Sequence, residues 1–313
     1  MKITVAGAGA MGTLFAGLLS RGNEVSIIEK DPVVRAAIAR HGIRLTGITD
    51  MTVPPSVVKI SSGAGGLAAA DLVLICVKSY DTVSVLKKIH RYIGCRTTVM
   101  TLQNGIGNYE NILKSVGKNR AVCGTTSQAA TIERCGEVRH TGCGDTFLGR
   151  SAGAEVIAKN FSGCGINTRT VKNIQSVIWS KLVLNCAINP VGGIAGVTNG
   201  EILEYANLRE VASAAGLEAA CVARVSGIKL LFGDVVGKVS GVCGNTSGNT
   251  NSMLADIKAG RETEIDFING AVVKKAGELC MIAPVNKALC EIVKKIAPHI
   301  RFDSGRKKSC SSK

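Results

Sequence analysis

The segment that most limits what this chain can fold into is its beginning. Lys2–Ala6 reads KITVA, a short β-branched run suited to a buried strand. It passes directly into Gly7-Ala8-Gly9-Ala10-Met11-Gly12. Met11, Leu14, Phe15, Leu18 and Leu19 then recur at helical spacing, and Gly22 is the expected C-cap. A second strand is expected over Glu24–Ile28, followed by an acid, Glu29, and a base, Lys30. A bare GxGxxG is a weak signal. Set between a strand and a helix, with an acid ending the next strand, it predicts a βαβ unit that binds a dinucleotide. The glycines let the backbone approach a pyrophosphate at the helix N-terminus. An acid at the end of the second strand suits the ribose hydroxyls of NAD, whereas a cation there accommodates the extra phosphate of NADP. Glu29 and Lys30 offer both.

The next segments extend that unit. A helix is expected over 31–42, with Pro32 in its first turn. Strands over 43–46 and 57–60 flank a turn region at 47–55. The buried run LVLICV at 72–77 ends in Lys78-Ser79-Tyr80-Asp81, and a helix is expected over 81–92. The strand at 97–102 ends in Gln103-Asn104-Gly105. Ligands in parallel sheets bind beyond the carboxyl ends of the strands, which makes Lys78 and Asn104 candidates. A strand at 121–126, a hairpin with an antiparallel edge strand within 131–148, a helix at 154–161 and a strand at 166–171 complete the pattern. From about residue 172 the periodicity is helical, over 200–225, 230–242, 252–259, 262–280 and 285–297, with a polar loop at 244–251 that caps the next helix. The expected architecture is α/β. It comprises an N-terminal Rossmann-type domain over 1–171, an all-α C-terminal domain over 172–302, and a disordered basic tail over 303–313.

Residues 179–190, WSKLVLNCAINP, open the helical part. Lys181, Asn185 and Asn189 fall at i, i+4 and i+8, within roughly 80° of one another on a helix. The residues between them are nearly all apolar. One cation and two amides thus share one face of an otherwise buried helix, which Pro190 is expected to end. Such a stripe lines a cleft, or it is a core helix with one snorkelling lysine.

Composition removes several function classes. The net charge is +15, spread along the chain, but aromatics are only 4%. Spread basicity favours anionic ligands, and few rings are available to stack on bases, so no nucleic-acid partner is expected. The 12 cysteines form no CxxC pair and no cluster of metal-ligand spacing, so no metal is expected. No apolar run reaches the roughly 18 residues of a membrane span, and the opening MKITVAGAGAMG does not resemble a secretory signal. A reduced, soluble, cytoplasmic protein without a membrane partner is the expectation.

Five blocks together resemble the ketopantoate reductase (2-dehydropantoate 2-reductase) family over most of the chain. They are GAGAMG, Lys78 after LVLICV, Gln103-Asn104-Gly105, WSKLVLNCAINP with Asn199-Gly200-Glu201, and NSMLADIKAGRETEIDFING. The resemblance implies reduction of the 2-keto group of ketopantoate to D-pantoate by hydride transfer from NADPH, in pantothenate and coenzyme A synthesis. It implies Lys181 as general acid and Glu264 as the carboxylate that binds the substrate hydroxyl and poises that lysine. Asn185, Asn189, Asn249 and Ser252 become substrate contacts. Gly7 to Gly12, Glu29, Lys30, Lys78 and Asn104 become the cofactor site, with Lys30 and Lys78 at the adenosine phosphate and Asn104 near the nicotinamide. Where the family commonly has arginine this chain has Lys30, preceded by Glu29. A carboxylate there repels a 2′-phosphate, so NAD(H) stays open beside NADP(H). A homodimer is compatible with the pattern. Two other readings remain: another 2-oxoacid or 2-hydroxyacid dehydrogenase on the same scaffold, and a non-catalytic dinucleotide-sensing protein.

Overall fold

The computed structural model describes residues 1–63 and 70–296. The chain divides into two compact units, Met1–Ile178 and Trp179–Lys313. The small, Gly/Ala-rich residues 61–70 read as a loop and short helix, and most of that segment, like the tail at 303–313, lies outside the described residues.

The first unit is built on an eight-stranded sheet. Strands β1 (Lys2–Ala6) and β2 (Glu24–Ile28) pair in parallel, as the opening motif requires. Three more strands belong to the same unit early in the chain: β3 (Ile43–Gly47), β4 (Met51–Val53) and β5 (Val58–Ser61). They are followed by β6 (Leu72–Ile75), β7 (Thr98–Thr101) and β8 (Ala121–Thr126). The last four are β9 (Ala129–Arg134), β10 (Glu137–Gly142), β11 (Thr146–Gly149) and β12 (Thr168–Val171). The large sheet runs β12-β11-β8-β7-β6-β1-β2-β5. From β5 to β8 every pairing is parallel, and β11 reverses direction against β8. The strand order turns back between β1 and β6, which is where a doubly wound sheet opens a crevice for ligand.

Period-two alternation assigns the two faces. Leu72, Leu74 and Met100 join the core that holds helix α1 (Ala10–Leu19), whereas Val73, Ile75 and Val99 point to the opposite core. The opposite face is covered by α3 (Thr82–Ile89) and α4 (Asn108–Val116), through Leu86, Ile89, Ile112 and Val116. The helix α4 has no counterpart in the sequence reading, which passed over 106–120.

The sequence pattern did not anticipate a second sheet, ordered β4-β3-β10-β9. The expected turn region at 47–55 contains β4, antiparallel to β3; the expected hairpin is β9–β10, which joins β3, and the expected antiparallel strand is β11, which pairs with β8 in the main sheet. Helix α1 contacts strands of both sheets. Eight of its ten residues are buried, from Gly12 to Leu19. A helix that is apolar on all sides belongs in such a position. At Gly17 a Cβ would come 2.9 Å from Leu45 Cδ1, so glycine there lets β3 approach. The helix ends at Leu19 with Ser20 as C-cap, two residues before the expected Gly22. Helix α2 (Pro32–His41) follows expectation, with the Asp31 carboxylate accepting from Val33 N and Val34 N, and Gly42 closing it at φ 74°. Helix α5 (Ala154–Gly163) packs Ile157 and Phe161 into the α1 core.

In the second unit the helices are α6 (Ile174–Ala195, which starts within the first unit), α7 (Glu201–Glu204), α8 (Ala206–Val225), α9 (Val235–Asn245), α10 (Ser252–Lys258), α11 (Asn269–Glu278) and α12 (Pro284–Ile296). The expected helix at 200–225 is interrupted at Tyr205, whose backbone is extended. That at 230–242 starts only at Val235, where Asp234 caps it through Gly237 N. That at 262–280 is a 3-10 turn over Ile265–Phe267 followed by α11.

Pro190 does not end α6, which runs on to Ala195. Proline removes the N–H that would bond the carbonyl four residues back, that of Cys186. The Asn269 amide on α11 replaces it, donating from Nδ2 to Cys186 O at 3.0 Å. Asn269 Nδ2 also donates to Asn286 Oδ1 at 2.9 Å, and Asn286 donates to Ala215 O at 3.0 Å and to Glu218 Oε2 at 2.9 Å. Glu218 in turn accepts from the first-turn amides Val285 N and Asn286 N of α12. One polar chain thereby ties α6, α8, α11 and α12, and both asparagines are fully buried. By length and composition alone α6 could cross a membrane, yet 67% of its most apolar stretch is buried, as in a core helix.

Candidate active site

The dinucleotide end is organised by three glycines with different duties. Gly7 has φ 101°, and a Cβ there would meet Val77 Cγ1 at 2.8 Å. At Gly12 a Cβ would lie 1.9 Å from Gly7 O, so only glycine lets α1 start this close to β1. Gly9 is different, because a Cβ there would meet nothing within 4 Å. It is exposed, stands as N-cap of α1, and leaves Ala8, Ala10 and Met11 around an open cradle. The first turn of α1 carries no acidic residue. Open space at Gly9 and first-turn amides without a competing carboxylate fit a pyrophosphate.

Beside the cradle, Glu29 is already fixed. Its carboxylate accepts from Ala8 N at 2.6 Å and from Asp31 N at 2.9 Å. This holds an acceptor at the end of β2, where the ribose of a dinucleotide sits in such folds. Lys30 Nζ is 2.8 Å from Asp81 Oδ2, with the lysine side chain 75% exposed. The hydrogen bond to Asp81 raises its pKa above the ordinary lysine value. The sequence reading missed Asp81 in this role. It also missed Arg35, whose Nη1 donates to Glu29 O at 2.9 Å and Lys30 O at 2.7 Å. Lys78 is half-buried in extended backbone shortly after β6, on the ligand side of the sheet.

Asn104 follows β7 in a loop held by its neighbours. Gln103 Nε2 donates to Val77 O at 2.6 Å and Thr82 Oγ1 at 2.9 Å, linking the ends of β7 and β6. Asn108, buried, donates to Asn104 O at 3.1 Å and to Ser79 Oγ at 2.9 Å. Gly105 and Gly107 take φ 80° and 101°, values that glycine adopts without strain. A small crevice beyond β7 and β8 is lined by Gln103, Gly105, Asn108, Cys123 and Gln175. Burial pushes the thiols of Cys76 and Cys123 up to about 12, away from the reactive thiolate form.

The second unit carries the polar stripe. Lys181, Asn185 and Asn189 all lie on α6, with Lys181 and Asn185 half-buried and Asn189 buried. Burial pulls the Lys181 amine down to about 8, and the charge of Glu264 opposes the shift. Glu264 heads the 3-10 turn at 265–267 and is half-buried. The fold therefore brings together the lysine and the carboxylate expected to act as a pair. Ser252 is the first residue of α10 and is exposed, as is Asn249 in the preceding loop.

Asn199 and Asn251 are absent from the expected set, and Asn251 stands beside α6. Asn251 caps α10 by accepting from Leu254 N at 3.0 Å. A Cβ on Gly192, one turn beyond Asn189, would lie 2.5 Å from Asn251 Nδ2. That Nδ2 is buried with no partner among the described residues, and the same is true of Asn199 Oδ1. The backbones of Asn199 and Asn249 are joined at 3.0 Å.

Residues 3–153 match the family described as "Ketopantoate reductase PanE/ApbA", and residues 173–297 match its C-terminal counterpart. A 2-dehydropantoate 2-reductase of Pyrococcus abyssi is 36% identical, over 94% of this chain and 97% of the relative. The chain belongs to the ketopantoate reductase family. Another family relative, the 2-dehydropantoate 2-reductase of Lactococcus lactis, is 31% identical over 94% of this chain and 97% of the relative. Among solved structures, a PanE/ApbA family ketopantoate reductase from Ralstonia eutropha superposes with TM-score 0.88 at 30% identity, covering 95% of this chain and 98% of the other. A D-mandelate dehydrogenase solved with NADH and anilino(oxo)acetate superposes with TM-score 0.86 at 29% identity, covering 95% and 98%. The similar proteins thus include 2-dehydropantoate 2-reductases and a D-mandelate dehydrogenase solved with NADH.

Proposed function

We propose that this chain reduces the 2-keto group of 2-dehydropantoate to D-pantoate, with a nicotinamide dinucleotide bound at the glycine loop. The supporting observation is Lys181. It stands on one face of α6 with Asn185 and Asn189, and burial pulls its amine to about 8 while Glu264 opposes. The nicotinamide, when bound, supplies the hydride. Reduction of a ketone builds negative charge on oxygen, and Lys181 donates the proton that quenches it. A donor with a pKa near the working pH is both largely protonated and ready to transfer, an advantage of about 10²–10⁴-fold. Glu264 keeps the amine from falling further and accepts from the substrate hydroxyl. Asn185 and Asn189 orient the substrate, with Ser252 and Asn249 at its outer end. Gly7 to Gly12 hold the pyrophosphate, Glu29 the adenosine ribose, Lys30 and Lys78 its surroundings, and Asn104 the nicotinamide side.

A 2-hydroxyacid dehydrogenase acting on a bulkier acid is the second reading, favoured by the likeness to D-mandelate dehydrogenase. Purified protein given ketopantoate or phenylglyoxylate with NADH and NADPH separates them. We expect the higher kcat/KM on ketopantoate, and a preference for phenylglyoxylate would overturn the first reading.

A further inference from the structure

We propose that Asp81 sets which dinucleotide the first unit prefers, by placing a second carboxylate beside Lys30 at the adenosine end of the crevice. This inference rests on the dinucleotide reading above. Lys30 follows β2 and Asp81 follows β6, and the strand order puts β1 between those two. Neighbouring strands lie about 4.8 Å apart, so the ion pair reaches across about 10 Å, past the end of the strand that leads into the glycine loop. Its 2.8 Å contact therefore spans the mouth of the crevice.

The charges around it decide what fits. A cation after the second strand is the group that accommodates a ribose 2′-phosphate. Here that cation stands between Glu29, whose carboxylate is fixed by Ala8 N and Asp31 N, and Asp81. A phosphate arriving at Lys30 meets two carboxylates and one ammonium. Arg35 adds a second cation, but its Nη1 is committed to the carbonyls of Glu29 and Lys30. Lys78 lies three residues before Asp81 in the chain. An exposed ion pair is itself weak, so Asp81 does not act by locking Lys30 away. It acts by remaining within reach of any phosphate that Lys30 would hold. A free 2′-hydroxyl has no such conflict, because it donates to a carboxylate. Asp81 has no capping bond to lose, since its side chain makes none at the start of α3.

The test is direct binding by titration calorimetry of NADH and NADPH to the full chain, without substrate. In Asp81→Asn the ratio of the Kd for NADH to that for NADPH is expected to rise about fivefold or more. With Lys30→Met added, most of that rise should disappear, because no ammonium remains to meet the phosphate. Asp81→Ser serves as a second variant should the first be unstable. An unchanged ratio in folded Asp81→Asn or Asp81→Ser, with both dinucleotides binding, overturns this inference alone. Failure of the wild-type chain to bind either dinucleotide overturns the reading beneath it as well.

Discussion

The side-chain amide of Asn269 donates to the carbonyl of Cys186 at 3.0 Å, and that carbonyl is the one Pro190 leaves without its helical partner. A proline inside a helix is expensive unless the group it orphans is served elsewhere, and here α11 serves it. The polar stripe on α6 can thus continue past Pro190 to the turn where Gly192 meets Asn251.

Removing that service should be costly. Asn269→Ala leaves two buried polar groups without their donor, each costing about 1–3 kcal/mol. In Pro190→Ala the backbone N–H returns and Cys186 O regains a partner, so the same Asn269 change should cost less. A double-mutant cycle by urea unfolding checks this, with a coupling of about 0.5–3 kcal/mol expected. Strict additivity would refute the link.

Lys181→Ala should lower kcat by about 10²–10⁴-fold while the fold and dinucleotide affinity persist. Full activity in a folded variant would remove the lysine from its role.

Glu264 should show itself in the pH profile. Lys181 must be protonated to act, so the rate of ketone reduction should fall as pH rises through about 8. Glu264 raises the lysine pKa, so Glu264→Gln should move that fall to lower pH. A limb that stays in place, measured as kcat against pH, would show that the carboxylate does not poise the amine.

The glycines give a contrast within one loop. Gly12→Ala puts a methyl 1.9 Å from Gly7 O and should prevent α1 from packing as it does. Gly9→Ala points into open space, so the protein should fold normally but bind dinucleotide more weakly, because the methyl occupies the cradle. Thermal unfolding and calorimetric titration of the two variants would reveal whether the duties are divided in this way.

His140 predicts a pH-dependent stability. It is buried, with Nε2 facing both Gln128 Oε1 at 2.8 Å and Gly142 O at 3.0 Å. Two acceptors on Nε2 assign the hydrogen there, leaving Nδ1 to accept from Thr49 Oγ1 at 2.9 Å. Desolvation lowers its pKa below 6.5. The unfolded chain therefore binds the proton more readily, and stability should decline as pH falls through 6.5. In His140→Gln the part of that decline belonging to this residue should be absent from unfolding midpoints measured between pH 7 and pH 5.

Much of the first unit was legible because its signals are local. KITVA, GAGAMG, an apolar helix and EVSII with its closing acid follow one another within 29 residues, and LVLICV declared a strand buried on both faces. The second sheet was not legible, since β3 and β10 are ordinary alternating segments whose pairing depends on a distant partner. Pro190 misled for a related reason. Chain-local rules end a helix before proline, and the rescue comes from Asn269, far along the chain. Of the candidate site, Lys181, Asn185 and Asn189 could be read from spacing on one helix. Asp81, Arg35, Asn199 and Asn251 could not, because nothing in the local sequence says that their side chains reach another element.

The pairing of β3 with β10 has a practical bearing on how this protein could be cut. A fragment that stops after β8 would contain the glycine loop, β1 to β8 and the crevice, and would look like a complete nucleotide binder. It would also leave one long edge of β3 unpaired, with Ile43 and Leu45 deprived of cover from Val138. Exposed edges of that kind recruit other chains. The smallest nucleotide-binding piece that stays soluble therefore has to extend at least through Gly142, and an affinity tag or fusion partner is better attached beyond the helical unit than inside the first.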